Sequence, residues 1–264
     1  MKNILKTKTA LLIVFISIIS SLFMGFIVLW IGKYYTESYQ KLFQFISIIV
    51  GQSLIIAPLF LYLKYKKIPI ISSIRLYTIN YNTMIFVALF SLGLIVLSDE
   101  LDRIIQIFFP APEYITNLNN LFRPETIFGG FLLFIAVVIL APIGEEIVFR
   151  GFLQQVLEKN WKDITRAVLF TALVFSIIHM NPYWFVQIYI LGVILGFLSW
   201  KTQSIIAPLI LHGLNNGVAL LLSFSNSKES NIYIWNDHVA PWVLVVALGC
   251  VLIGFNQINQ LNVK

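Results

Sequence analysis

The sequence predicts an all-α fold, a polytopic transmembrane helix bundle of about eight spans, and three observations predict it. Of 264 residues, 59% are hydrophobic and 11% charged, against about 25% charged in an ordinary soluble domain. So few charges cannot keep a globular surface in water, so most of the surface meets lipid. The apolar residues fall in runs close to the ~20 that a helix needs to cross a hydrocarbon core. The net charge of +6 sits in short stretches between those runs, as in "MKNILKTK" and "KYKK". That is the positive-inside pattern of a membrane protein, and it excludes a basic face for nucleic acid.

The expected spans are 10–32, 42–63, 83–98, 127–150, 165–180, 183–200, 203–224 and 241–256. The first follows Lys2, Lys6 and Lys8 and resembles a signal peptide at its start. Its apolar run exceeds the roughly 7–15 residues of a signal h-region and no small-x-small site follows, so it reads as a retained span. Eight spans put both termini on one side. With the N-terminus inside, the inner segments plus adjoining Arg166 hold 12 Lys and Arg and the outer segments 5, with Arg150 completing the 18. Both termini are therefore expected in the cytoplasm. The stretch "ELDRIIQIFF" (100–109) after the third span carries Leu101, Ile104, Ile105 and Phe108 at helical spacing and is expected to lie along the outer interface, ending at Pro110 and Pro112. Segment 68–82 reads as a cytoplasmic surface turn. No repeat or linker divides the chain, so 1–264 is read as a single membrane domain. Cys250, the one cysteine, excludes an internal disulfide and reads as a small apolar residue of the last span.

Against this background the segment "APIGEEIVFRG" (141–151) stands out. An ionisable group at mid-membrane costs roughly 2.5–3.5 kcal/mol on insertion scales, so Glu145, Glu146 and Arg150 need partners. Glu146 and Arg150 are four apart with the acid first, the favourable order for a helical ion pair. Neighbouring helical residues point about 100° apart, so Glu145 is left to face a shared cavity. Pro142 should loosen the helix and release backbone groups to neighbours. The fourth helix has no breaker after Gly151 and is expected to run on to about Lys159. Two of the three histidines fall in spans: "FSIIH" places His179 four residues after Phe175, and "HGLNN" places His212 and Asn216 one turn apart with Asn215 beside them. Phe175 reads as a packing residue forming a wall beside His179. His238, in "WNDH", reads as a solvated outer loop residue. Each polar residue taken alone is explained by helix packing, since Asn and His hydrogen-bond across membrane helices. The set of Glu, His, His and Asn on three helices is not.

"EEIVFR" matches an EExxxR motif, "FSIIH" an FxxxH motif and "HGLNN" an HxxxN motif. In this order, on separate spans, they resemble the type II CAAX prenyl endopeptidase family, also called the CPBP or Abi family of intramembrane proteases. The resemblance covers roughly 125–222, a catalytic core flanked by spans in 1–124 and 223–264. It implies a membrane-embedded endopeptidase acting on a C-terminal, CAAX-like or other membrane-associated peptide, lipidated or not. It further implies that Glu145 and His179 hold and deprotonate a water, that His212 and Asn216 form an oxyanion pocket, and that Glu146 and Arg150 orient Glu145. Cofactor use stays open. Glu145, His179 and His212 also make a catalytic zinc set with an open water position, but HExxH is absent, and metal-free glutamate chemistry is slightly preferred. Two other classes compete: a non-catalytic membrane peptide-binding or bacteriocin-immunity protein, and a proton-coupled transporter, the latter weakened by the lack of repeats.

Overall fold

The computed structural model describes residues 5–115, 123–224 and 232–262. Lys2, Lys228 and Lys264, counted above, lie outside the described residues. The architecture is an all-α membrane bundle: α1 (Thr7–Gly32), α2 (Glu37–Leu54), α3 (Ala57–Tyr65), a single turn α4 (Ile70–Ser73), α5 (Tyr81–Phe108), α6 (Ile127–Trp161), α7 (Ile164–Ile178), α8 (Phe185–Thr202), α9 (Ile206–Phe224) and α10 (Pro241–Asn259). The strands β1 (Ile234–Trp235) and β2 (His238–Val239) form a two-residue antiparallel hairpin before α10. Among the described residues six helices are long and apolar enough to cross a membrane; Ile164–Ile178 and Ile206–Leu222 are apolar but shorter. The expected eight spans thus resolve into six full-length apolar helices and two short ones.

Two boundaries differ from the expectation. The second span is interrupted at Ile55 and Ile56, where Pro58 in the first turn of α3 cannot donate to the ladder. The third span does not stop at 98: α5 continues through "ELDRIIQIFF" to Phe108. No breaker occurs before Pro110, and Arg103 Nε donates to Asp99 (3.0 Å) one turn back, which supports the solvated end of the helix. The segment after "KYKK" is more firmly held than a surface turn. Arg75 adopts φ 50°, is 5% exposed, and grips Glu158 near the end of α6 with both terminal nitrogens (Nη1–Oε1 3.1 Å).

α5 packs along α10, α1 along α2, and α7 along α8, with α6 at the centre touching helices from both halves. The buried side of α6 joins Phe149, Phe152, Leu153 and Leu157 to Leu59, Leu63 and Phe175. Close approach to the 70–77 connection demands Gly151, since a Cβ there would stand 2.4 Å from the Ile74 carbonyl. Outward faces are strongly apolar, as at Phe15 (61% exposed) and Val245 (71%), the inverse of a soluble protein.

Candidate active site

α6 carries the three ionisable residues and is not a uniform helix. Residues Ile135–Leu140 and Ile147–Gln154 form wide π turns on either side of a short α-helical stretch, Ala141–Glu146. The Ala141 N–H donates to Ala136 O, five residues back. The next residue, Pro142, has no N–H, so the equivalent acceptor, Val137 O, is released. Asn216 Nδ2 on α9 donates to it at 3.0 Å. This is the release of backbone that Pro142 predicted, with Asn216 as the recipient.

Glu145 and Glu146 leave this stretch in different directions and meet the same imidazole from two sides. Glu146 Oε1 accepts from His212 Nδ1 (2.8 Å) and from Arg150 Nη1 (3.0 Å), and both Glu146 and Arg150 are fully buried. Glu145 Oε2 lies 3.7 Å from His212 Nε2 and 4.0 Å from His179 Nε2. That oxygen is buried and has no hydrogen-bond partner among the described residues. The His179 ring is fixed by its other nitrogen: Nδ1 lies 2.7 Å from Phe175 O. A carbonyl only accepts, so Nδ1 carries a proton and the other ring nitrogen, Nε2, faces Glu145.

Phe175 is the hub of the packing around these groups. Its ring lies 4.7 Å from the His179 ring, 5.9 Å from His212 and 5.4 Å from Phe149. The Arg150 guanidinium stacks 4.0 Å from its centroid, a favourable contact for a desolvated cation. Arg150 Nη2 also donates to Gly192 O on α8 (3.2 Å). The buried guanidinium is thus held by a carboxylate, a carbonyl and an aromatic face in place of water.

The structure therefore brings Glu145, His179 and His212 to one point, with Glu146, Arg150 and Phe175 packed behind them. Asn216 stands one turn along α9 from His212, anchored on α6. One expectation is corrected: Glu146 bonds to His212 and to Arg150, and Arg150 to Glu146 and Gly192 O; among the described residues no hydrogen bond joins either of them to Glu145, because the two glutamates diverge around the helix. The reading also missed four residues. Gln154, fully buried, donates to Gly196 O and to Glu158 Oε1 (both 2.9 Å), and Glu158 holds Arg75. Glu146, Arg150, Gln154 and Glu158 are spaced four apart, and Gly192 and Gly196 likewise, a small-xxx-small pattern of close helix approach. A Cβ at Gly196 would stand 2.9 Å from Gln154 Oε1. Both periodic signals are visible in the sequence.

The donor types suit zinc, but the spacing does not. Tetrahedral ligands at about 2.0–2.2 Å from zinc stand about 3.3–3.6 Å apart, and the gaps from Glu145 Oε2, 3.7 Å to His212 and 4.0 Å to His179, are both wider. Among the described residues no three of His, Cys, Asp and Glu are grouped to hold a metal ion. No step below passes through a metal.

A helical membrane bundle with a buried carboxylate between two imidazoles defines the class, a membrane-embedded protein with a buried polar centre. Residues 127–218 match the family model described as Type II CAAX prenyl endopeptidase Rce1-like, which bears out the family resemblance carried by the three motifs. The comparison with curated proteins found no match, and neither did the comparison with solved structures.

Proposed function

We propose that the chain hydrolyses a peptide bond in a membrane-associated protein or peptide, with or without a lipid anchor, using Glu145 as the general base. The observation that carries this reading is the convergence of an unpartnered carboxylate oxygen and the Nε2 of His179, 4.0 Å apart. Polar groups at that separation call for a bridging water. The water donates one O–H to Glu145 Oε2 and the other to His179 Nε2, which turns its own lone pair towards a peptide carbonyl carbon.

On attack the C–O bond forms, the water proton passes to Glu145, and the carbonyl oxygen becomes an oxyanion. His212 and the second N–H of the Asn216 amide receive it. Because His212 Nδ1 already donates to Glu146, the ring enters the step as an imidazolium, protonated at Nε2 before attack and paired with the Glu146 carboxylate, and its Nε2–H donates to the oxyanion. Glu145 then hands its proton to the leaving nitrogen as the C–N bond breaks. The segment 125–222 carries this chemistry, and 1–124 and 223–264 frame it within one membrane domain.

The test is cleavage by purified protein of a library of C-terminal membrane-protein peptides, prenylated and unprenylated, compared with Glu145→Gln. General-base loss is expected to lower the rate by about 10²–10⁴-fold or more with folding unchanged. Glu145→Gln protein that cleaves at the wild-type rate would remove the carboxylate from the mechanism and with it this reading.

A further inference from the structure

The ends of the helices are tied together in a way that gives the site a direction. Asn160 Nδ2 donates to Leu5 O (2.8 Å), Arg75 pairs with Glu158, and the Ile205 N–H donates to Arg75 O (3.0 Å). These bonds join the start of α1, the 66–80 connection, the α6–α7 turn and the α8–α9 turn at one end of the bundle. Of the fifteen described Lys and Arg residues, ten lie at that end, four, Lys33, Lys41, Arg103 and Arg123, at the other, and Arg150 is buried between them. The charge asymmetry read from the sequence is thus a physical end of the molecule, and the rule for membrane proteins sets that end in the cytoplasm.

α7 starts at the basic end, capped by Asp163, and its 15 residues reach about 22 Å at 1.5 Å per residue. A hydrocarbon core is about 30 Å thick, so a helix of this length is short for a full crossing and sets His179, one residue past its end, on the far side of the site from the basic end. Exposure increases in the same direction: the side chain of His212 is 5% exposed, Glu145 10% and His179 30%, while Met180 is 73% exposed. Tyr183 Oη donates to Phe109 O (3.2 Å), which fixes the rim to the far end of α5. A cavity of about 160 Å³ lies in the same half of the bundle, between Leu101 of α5, Gln187 of α8 and Asn215 of α9.

We infer that the site opens on the extracytoplasmic side and that its substrates are peptide segments displayed there, in preference to tails in the cytosol. The substrate half of this inference rests on the hydrolase reading above. The opening does not.

The deciding experiment is cysteine accessibility in a Cys250→Ala background. Met180→Cys probes the rim and Lys162→Cys the basic end, each treated with a membrane-impermeant maleimide in intact cells and again after permeabilisation. Met180→Cys labelled in intact cells, with Lys162→Cys labelled only after permeabilisation, supports the inference. The reverse pattern overturns it. So does Met180→Cys that reacts only after permeabilisation, or never, since the rim would then face the cytosol or lipid. A second arm maps new peptide termini that depend on wild-type Glu145 as against Glu145→Gln; termini in cytosolic segments overturn the substrate assignment. If labelling follows the expected pattern and no such termini form, hydrolysis is refuted while the direction of opening stands.

Discussion

Arg150→Met is the sharpest test of how the buried charges are held. The substitution keeps much of the side-chain volume and removes three contacts at once: the ion pair to Glu146 (3.0 Å), the bond to Gly192 O (3.2 Å) and the stack on Phe175 (4.0 Å). Removing one partner of a buried pair costs roughly 3–5 kcal/mol, mostly because the other charge is left uncompensated. Glu146 retains His212, which places the expected loss near the lower bound, about 3 kcal/mol, or roughly 10²-fold in the unfolding equilibrium. Combining Glu146→Gln with Arg150→Met removes both charges, so the double variant should lose less than the sum of the singles, by about 0.5–3 kcal/mol. Arg150→Lys keeps the charge but not the fork, and should fall between wild type and Arg150→Met. Denaturant unfolding in detergent micelles, followed by tryptophan fluorescence, compares wild type with the two singles, the double variant and Arg150→Lys. An Arg150→Met variant within about 1 kcal/mol of wild type, or strictly additive losses, would refute the reasoning.

Further outcomes are expected elsewhere. Asn216→Ala should cut turnover by about 10²–10³-fold if the amide serves the oxyanion, and leaving Val137 O without its donor should cost about 1–3 kcal/mol; full activity with a stability loss would assign Asn216 to the α6–α9 contact alone. Gly196→Ala drives a methyl to 2.9 Å from both Gln154 Oε1 and Val168 Cγ1 and should destabilise by about 1–3 kcal/mol, measured by the same unfolding assay. Outside the spans, burial and then the Asp99 carboxylate push the Tyr233 hydroxyl above the usual tyrosine range. A raised folded value makes its contribution to stability constant below about pH 10, the ordinary tyrosine value, and lost as pH rises through the folded one. Ultraviolet titration should show a late-ionising component that Tyr233→Phe diminishes by one tyrosine.

Lipid is what made the site legible. In a water-soluble chain "EEIVFR" would be an ordinary helical surface, whereas here each ionisable residue had to be explained, and the Glu146–Arg150 pair followed from spacing alone. The three motifs identified helices that do converge. What spacing could not supply was the rotation of one helix against another. The divergence of Glu145 from Glu146 was foreseeable, but that Glu146 would reach His212 depends on how α9 lies across α6. The wide turns at Ile135–Leu140 and Ile147–Gln154 also shift the helical phase in a way a 3.6-residue period does not anticipate. The apolar run of α5 ends ten residues before its backbone does: the stretch 100–109, expected as a separate helical segment along the outer interface, continues the same helix, with Asp99, Asp102 and Arg103 within it.

The grip of Arg150 and Gln154 on the carbonyls of Gly192 and Gly196 has a consequence for the surrounding bilayer. Such bonds hold best where water is absent to compete for the same oxygens. Lipids with short acyl chains, by thinning the membrane and admitting water between α6 and α8, would therefore slacken this seam first. Alignment of the imidazoles would then fail while every helix remained intact, making the protein sensitive to membrane thickness.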